Sequence, residues 1–595
     1  MADGTSSFSP RPDRYGAGPR PVIPQRRRSR SGPRYVVVTG GVLSGLGKGI
    51  TTSSIGRLFK CHGLSVTAVK IDPYLNIDAG TMNPFEHGEV YVLPDGGEVD
   101  LDLGNYERFL DIDLGRDNNI TTGKAYMTVI EKERRGDYLG KTVQIVPHVV
   151  TEVREWIQRV ANESQADVCL VEVGGTVGDI ESMPFLEAVR QLHTVEGDDN
   201  VVFIHTTLVP KLGAVGEQKT KPTQHSVRDL KAAGVEPDIL VCRASEPIED
   251  SIKEKLSTFT GIPAGAVISA HDVDSIYEVP LLFDEQGLTD YLLGRLNLPR
   301  GDPVKALAPW RDFVRRVTDP KHAVTIGIVG KYTHLADSYL SITESFRHAG
   351  AASDTAVSIE WLNAEEINQG TPSALEAMGK VDGILIPGGF GARGAEGKIK
   401  AATYARENNV PLLGICYGFQ LAIVEYARNV LGLKKADTTE NTPDTPDPVI
   451  CILPEQMAVT EMGGTMRLGA SRIAVRPGTM AHRLYGSDIA VERHRHRYEM
   501  NPEYVERMEK AGLVYSGRMA DRADNIPIME IMELPDHPFY IGGQFHPEFT
   551  SRPGRPNPLF LGFIEAARDR MLGVKHPKNV ESRPAEGAGV VEKTT

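Results

Sequence analysis

Two segments far apart in the chain carry residues suited to attack on an amide. Gly414-Ile415-Cys416-Tyr417-Gly418 sets one cysteine between glycines, directly after the apolar run Val410-Pro411-Leu412-Leu413. A cysteine acts as a nucleophile at neutral pH only with a lowered pKa or a base beside it. A G-x-C-x-G turn between strand and helix exposes the sulfur at a helix N-terminus, whose dipole favours thiolate. Downstream, Gln544-Phe545-His546-Pro547-Glu548 offers a base and a carboxylate two residues apart. Pro547 disfavours helix, and an extended segment would point both side chains the same way. His546 would then take the thiol proton and Glu548 would orient the imidazole. The glycine-rich Pro387-Gly388-Gly389-Phe390-Gly391 can offer backbone N–H groups to a tetrahedral oxyanion.

A second set belongs to phosphate chemistry. Thr39-Gly40-Gly41-Val42-Leu43-Ser44-Gly45-Leu46-Gly47-Lys48-Gly49 follows a short apolar run and precedes a helical pattern. Glycines let amide N–H groups turn toward phosphate oxygens, the helix dipole assists, and Lys48 adds charge. The segment departs from a strict phosphate loop: its first glycine is displaced, and Gly49 stands where Ser or Thr is expected. Glu172 ends the apolar run Val168-Cys169-Leu170-Val171, and Asp102 lies in Asp100-Leu101-Asp102. Magnesium prefers one or two carboxylates completed by phosphate and water, so this pair suits it. Lys219-Thr220-Lys221-Pro222-Thr223-Gln224-His225 supplies donors for a triphosphate.

These residues need elements to hold them. The 595-residue chain is long enough for several domains, and its net charge of -13 argues against nucleic-acid binding by the folded body. Five scattered cysteines without paired spacing fit a reducing compartment rather than a disulfide framework. There is no bilayer-length apolar run and no apolar signal core, so a cytoplasmic protein without membrane association is expected. Apolar strands alternate with helical patterns in two series, which predicts α/β folding with a P-loop-like parallel-sheet domain at 34–297 and a second α/β domain at 323–575. A linker is expected at 298–322. The Arg-, Pro- and Ser-rich stretch 1–33 and the polar tail 576–595 are expected to be disordered.

The order of these motifs, with Lys70-Ile71-Asp72-Pro73-Tyr74 and the segment Glu172 to Glu181, resembles the CTP synthases, which convert UTP to CTP with glutamine as nitrogen donor. The resemblance spans about 35–575. Its cysteine elbow and His-Pro-Glu resemble class I glutamine amidotransferases in general. By resemblance, Cys416, His546 and Glu548 form the triad, and Gly389, Tyr417, Gly418, Phe419, Gln420, Glu440 and Arg497 contact glutamine. Gly45, Leu46, Gly47, Lys48, Gly49, Ile50, Asp102 and Val273 match ATP contacts. Ser44, Asp179, Ile180, Glu181, Lys219, Thr220, Lys221, Pro222, Thr223, Gln224 and Lys255 match UTP or CTP contacts. Asp102 and Glu172 match the Mg2+ ligands, and Lys48 and Lys70 match lysines near the transferred phosphate. The family further implies a homotetramer, inhibition by CTP and activation by GTP, with the loop around Arg393 in the GTP response. No family role transfers to the basic N-terminal arm. Glu440 falls in the Thr-, Asp- and Pro-rich insert Asp437 to Pro448, around the expected glutamine-site lid. An amide synthase that phosphorylates a carboxylate is the alternative; Lys219 to Gln224 and Asp179 to Glu181 favour a nucleotide.

Overall fold

The computed structural model describes residues 32–83, 88–212, 216–330, 336–452, 466–521 and 527–574. The two tails expected to be disordered lie outside these, apart from Gly32 and Pro33.

Seven strands form the first sheet: β1 (Arg34–Gly40), β2 (Val66–Asp72), β3 (Asn119–Thr121), β4 (Val168–Val173), β5 (Val201–Leu208), β6 (Ile239–Ala244) and β7 (Val267–His271). Their order is β7-β6-β5-β1-β4-β2-β3, and every pairing is parallel. Side chains alternate between two covered faces: Val36 and Val38 enter one core, Tyr35 and Val37 the other. Burial on both faces is why these strands read as continuous apolar runs. The C-terminal ends of β1, β2 and β4 share an edge, where Lys70 is in register with Glu172 and Glu172 with Val38. Three helices border that edge: α1 (Lys48–Cys61), α2 (Leu101–Leu110) and α3 (Lys221–Ala232).

The stretch 298–322 is mostly a helix, α4 (Pro303–Thr318). Its Trp310, Phe313 and Val314 are buried with Phe109 of α2, Tyr277 and Ala351, and Trp310 donates to the Tyr277 carbonyl at 2.8 Å. It packs against both halves.

The second sheet has nine strands: β8 (His322–Gly330), β9 (Thr355–Asn363), β10 (Gly383–Ile386), β11 (Leu412–Ile415), β12 (Arg467–Val475), β13 (Ile489–His496), β14 (Val514–Met519), β15 (Met529–Glu533) and β16 (Tyr540–Gly543). The order is β9-β8-β10-β11-β16-β15-β14-β12-β13, parallel from β9 to β16 and antiparallel beyond. Helices α5 (Leu340–Ser353), α6 (Ala395–Glu407) and α7 (Tyr417–Asn429) flank the parallel part.

A buried ion cluster joins the halves. Glu107 of α2 accepts from Arg493 of β13 at 2.7 and 3.2 Å, from Arg552 at 2.7 Å and from the Tyr91 hydroxyl at 2.6 Å. All four side chains are 2% exposed or less. Removing one member of such a cluster strands the others away from water, so it holds the interface in one arrangement.

Candidate active site

The cysteine elbow follows from its glycines. Cys416 sits between β11 and α7 with φ 50° and ψ -102°, a backbone that non-glycine residues rarely adopt. A Cβ on Gly418 would lie 2.0 Å from the Ile386 carbonyl oxygen, so only glycine lets α7 pack this close to β10. The Cys416 amide donates to the Gly543 carbonyl at 2.7 Å, tying the elbow to β16.

β16 leads directly to the base. His546 Nδ1 and Glu548 Oε1 are 2.7 Å apart. The segment differs from the extended geometry expected from sequence: Pro547–Phe549 is a single 3-10 turn with His546 at its cap. Proline is well placed in a first turn, where its missing N–H has no partner to lose. The turn still brings both side chains together. His546 stacks on Phe549, with centroids 5.1 Å apart, and its amide donates to the Arg493 carbonyl at 2.8 Å. Burial alone would lower the imidazole pKa, but Glu548 and then Cys416 outweigh it and hold it up to about 10. Nearby His494 and His496, equally buried, are pushed well below the ordinary value. His546 is therefore held as an imidazolium beside Cys416, with its Nε2 buried.

A cavity of about 680 Å³ opens beside these residues. Gly389, Gln420, Glu440 and Arg497, all expected as glutamine contacts, line it with the triad. Glu440 accepts from the Gly391 amide at 2.7 Å, so the insert around it folds back over the pocket. Tyr417 donates to the Gly391 carbonyl at 3.0 Å, below the same floor, while Gly418 and Phe419 are buried in the first turn of α7. Gly80, Thr81, Met82 and Glu89 from the other half complete the wall. Arg393 lies outside it, paired with Glu365.

The second site lies at the sheet edge of the first half. Gly45 and Gly47 have φ 76° and 84°, as a loop turning its amides outward requires. Leu46 anchors that loop in the interior, and Ser44 is exposed. Gly49 explains the departure from the phosphate-loop pattern: a Cβ there would lie 2.0 Å from Asp102 Oδ1. Serine or threonine would collide with the carboxylate, so α1 and α2 meet at this glycine, and Ile50 follows it half-buried. Lys48 Nζ donates to the Gly175 carbonyl at 2.8 Å, and burial lowers its pKa. Lys70 Nζ bridges Asp102 and Glu172, the latter at 2.9 Å, and Tyr106 donates to Glu172. Burial opposes the charge on Lys70, but Asp102 and Glu172 hold its pKa well above the ordinary range. Among the described residues no cluster of three or more His, Cys, Asp or Glu could enclose a metal. Two carboxylates completed by phosphate and water remain the arrangement that suits magnesium.

Lys219 to Gln224 open α3. Thr220 and Thr223 are buried, Gln224 Nε2 donates to Thr220 Oγ1 at 3.0 Å, and Pro222 occupies the first turn. Lys219 pairs with Glu217 at 2.7 Å, Lys221 stands 5.7 Å from the centre of the Phe259 ring, and Lys255 lies on the helix Asp250–Thr260. Val273 follows β7 at the end of the sheet. Asp179, Ile180 and Glu181 form an exposed turn, with Ile180 86% exposed, and no described hydrogen bond links them to Lys219 to Gln224.

Two family models match the chain. Residues 34–298 match the family model described as CTP synthase N-terminus, and residues 334–566 match glutamine amidotransferase class-I. A CTP synthase of Thermococcus kodakarensis is 57% identical over 540 residues, covering 91% of this chain and 99% of its own. One from Archaeoglobus fulgidus is 57% identical over 534 residues, covering 90% and 98%. The chain belongs to the CTP synthase family. Among solved structures, the glutaminase domain of Trypanosoma brucei CTPS with bound acivicin is 36% identical, covers 43% of this chain and 96% of its own, and has a TM-score of 0.39.

Several residues at these sites escaped the sequence reading. Arg493-His494-Arg495-His496 alternates along β13, so one face carries arginines and the other a buried histidine pair 2.9 Å apart. That alternation was the available signal. His205 bridges Thr39 at 2.9 Å and Ser226 at 2.6 Å, linking the end of β1 to α3. Burial and then Lys48 lower its pKa to about 3, so it serves as a neutral link. Gln544 stands directly behind Cys416.

Proposed function

We propose that this protein aminates UTP to CTP, using ATP and ammonia released from L-glutamine. The observation that carries this reading is the cavity, walled by the Cys416 triad on one side and by Gly80, Thr81, Met82 and Glu89 of the nucleotide half on the other. A glutaminase serving only hydrolysis would have no need of that second wall.

Cys416 thiolate attacks the glutamine amide carbon, and amide groups near Gly388 and Gly389 stabilise the oxyanion. His546, held as an imidazolium, gives its proton to the departing nitrogen, and ammonia leaves. Water, deprotonated by His546, then cleaves the glutamyl thioester, releasing glutamate and restoring the thiolate beside the imidazolium. Gln420, Glu440 and Arg497 orient the substrate. Ammonia moving within the protein avoids protonation to unreactive ammonium in bulk water. In the other half, the loop Gly45 to Ile50 and Lys48 hold the ATP phosphates, with Val273 beside the adenine. Lys219 to Gln224, Ser44 and Lys255 hold UTP. The uracil O4 attacks the γ-phosphorus, ADP leaves, and ammonia then displaces phosphate from C4. Lys48 and Lys70 offset charge developing on the transferred group. Asp102 and Glu172 would hold Mg2+, which neutralises phosphate charge when bound.

Exposed Leu75, Leu139 and Ile180, each at least 76% exposed, support a homotetramer that would cover them. Asp179 to Glu181, the turn that contains Ile180, would then distinguish CTP, the inhibitor, from UTP. GTP acting near Arg393 completes the regulation. No described helix is long and apolar enough to cross a membrane, which fits a cytoplasmic enzyme. Incubation with UTP, ATP, Mg2+, GTP and glutamine should yield CTP; absence of CTP with either glutamine or ammonium would sink the reading.

A further inference from the structure

Behind the nucleophile lies a hydrogen-bond chain whose direction is set at one end. Gln420 Nε2 donates to the Tyr498 carbonyl at 2.9 Å and to Gln544 Oε1 at 3.2 Å. Gln544 Nε2 in turn donates to Cys416 Sγ at 3.8 Å. Gln544 is fully buried, and Gln420 and Cys416 are 3% and 4% exposed. A backbone carbonyl can only accept, so the Gln420 nitrogen must face Tyr498. That nitrogen's second hydrogen then requires an oxygen from Gln544, which turns the Gln544 N–H toward the sulfur. The same orientation leaves the Gln420 oxygen as its free polar atom, and Gln420 lines the cavity.

We propose that Gln544 is a positioning residue that fixes two polarities at once: its N–H stabilises the Cys416 thiolate, and its oxygen locks Gln420 with its acceptor available to glutamine. The inference rests on the glutaminase reading of the triad. Competing influences on the thiol are named by what faces it. His546 and Glu548 come from the turn after β16. The Arg495 carbonyl, which accepts from Sγ at 3.8 Å, comes from β13 with His494 and His496. Lys398 of α6 lines the same cavity and donates to the Pro387 carbonyl at 3.2 Å. Among the polar side-chain contacts found for Sγ, Gln544 supplies the neutral N–H donor.

Two variants of the full-length chain separate the two roles. Gln544→Met keeps the volume but removes both polar atoms. Gln544→Glu keeps an acceptor toward Gln420 and puts oxygen where the N–H faces sulfur. The readouts are the pH midpoint of Cys416 alkylation by iodoacetamide, followed on its own peptide by mass spectrometry, and KM and kcat for glutamine-dependent CTP formation. Synthesis from ammonium, which bypasses this site, reports folding. A hydrogen bond to a charged group contributes about 1.5–3 kcal/mol, so the alkylation midpoint should rise by about one unit or more in both variants. KM for glutamine should rise severalfold in Gln544→Met and stay near wild type in Gln544→Glu, while kcat falls about tenfold or more in both. Midpoints equal to wild type overturn the proposal. So does loss of ammonium-dependent synthesis in both variants, which would make Gln544 a folding residue. Failure of wild type to use glutamine would instead remove the glutaminase reading, and the alkylation comparison would still decide the role of Gln544.

Discussion

Replacing Glu548 by glutamine should silence the glutaminase by discharging one imidazole. The shift of His546 from 6.5 to about 10 amounts to about 5 kcal/mol in favour of the imidazolium, at 1.36 kcal/mol per unit. Burial works against that charge, and Glu548 is the first of the groups that overcome it. His494 and His496 lie in the same interior, but their neighbours Glu530 and Glu499 are already paired with Arg467, and burial and then Arg467 push both well below 6.5. Glu548→Gln keeps the shape and removes the charge, so His546 should be neutral at pH 7. Without the imidazolium the thiolate loses its counter-charge and the leaving nitrogen its proton donor. In wild type the raised pKa keeps the imidazolium throughout the neutral range, and it is lost only as pH rises through about 10. Glutamine-dependent kcat/KM should therefore hold a plateau through neutral pH and fall on an alkaline limb near 10. In the variant that limb should move below neutrality, and activity at pH 8 should drop roughly ten-thousandfold, the size of triad-orienter losses elsewhere. The assay is the pH profile of CTP formation with glutamine, with ammonium in parallel. A variant that keeps its alkaline limb near 10, or loses less than tenfold at pH 8, would refute the argument that Glu548 sets the charge of His546.

Glu107→Gln should weaken the joint between the halves by about 3–5 kcal/mol, since Arg493 and Arg552 lose a buried partner. The urea midpoint should fall, and the ratio of glutamine- to ammonium-dependent synthesis should drop, because Arg493 holds the His546 backbone; an unchanged ratio would uncouple the cluster from the triad. Gly49→Ala should reduce CTP formation from both nitrogen sources at least tenfold, since its methyl group would displace Asp102. Cys416 alkylation in that variant should match wild type; full activity would show that Asp102 is free to move.

The sequence made the chemistry legible because its reacting residues sit in short segments with rigid local rules. Gly414 and Gly418 permit the close backbone approach that the elbow requires, and apolar runs buried on both sheet faces announce parallel strands. The His546–Glu548 contact was also foreseen, although through extended geometry that Pro547 replaces with a 3-10 turn. The linker illustrates the opposite case: residues 298–322 read as a proline-bounded linker around a short helical segment, with no sign that Trp310 and Phe313 are buried against both halves. Nothing local in α4 reveals that Tyr277 and Ala351 wait for those side chains. The Glu107 cluster joins residues separated by more than 380 positions, so single-sequence reading has no signal for it. Gly49 read as an irregular phosphate loop because the carboxylate that demands glycine lies on another helix.

The central claim is that two sites cooperate, one releasing ammonia and the other using it. Cys416→Ala in the full chain, assayed for CTP formation from UTP and ATP with glutamine and with ammonium, tests it most directly. The account predicts no CTP above background from glutamine and a wild-type rate, within about twofold, from ammonium. Loss of both activities in a folded protein, or retention of glutamine use, would contradict it.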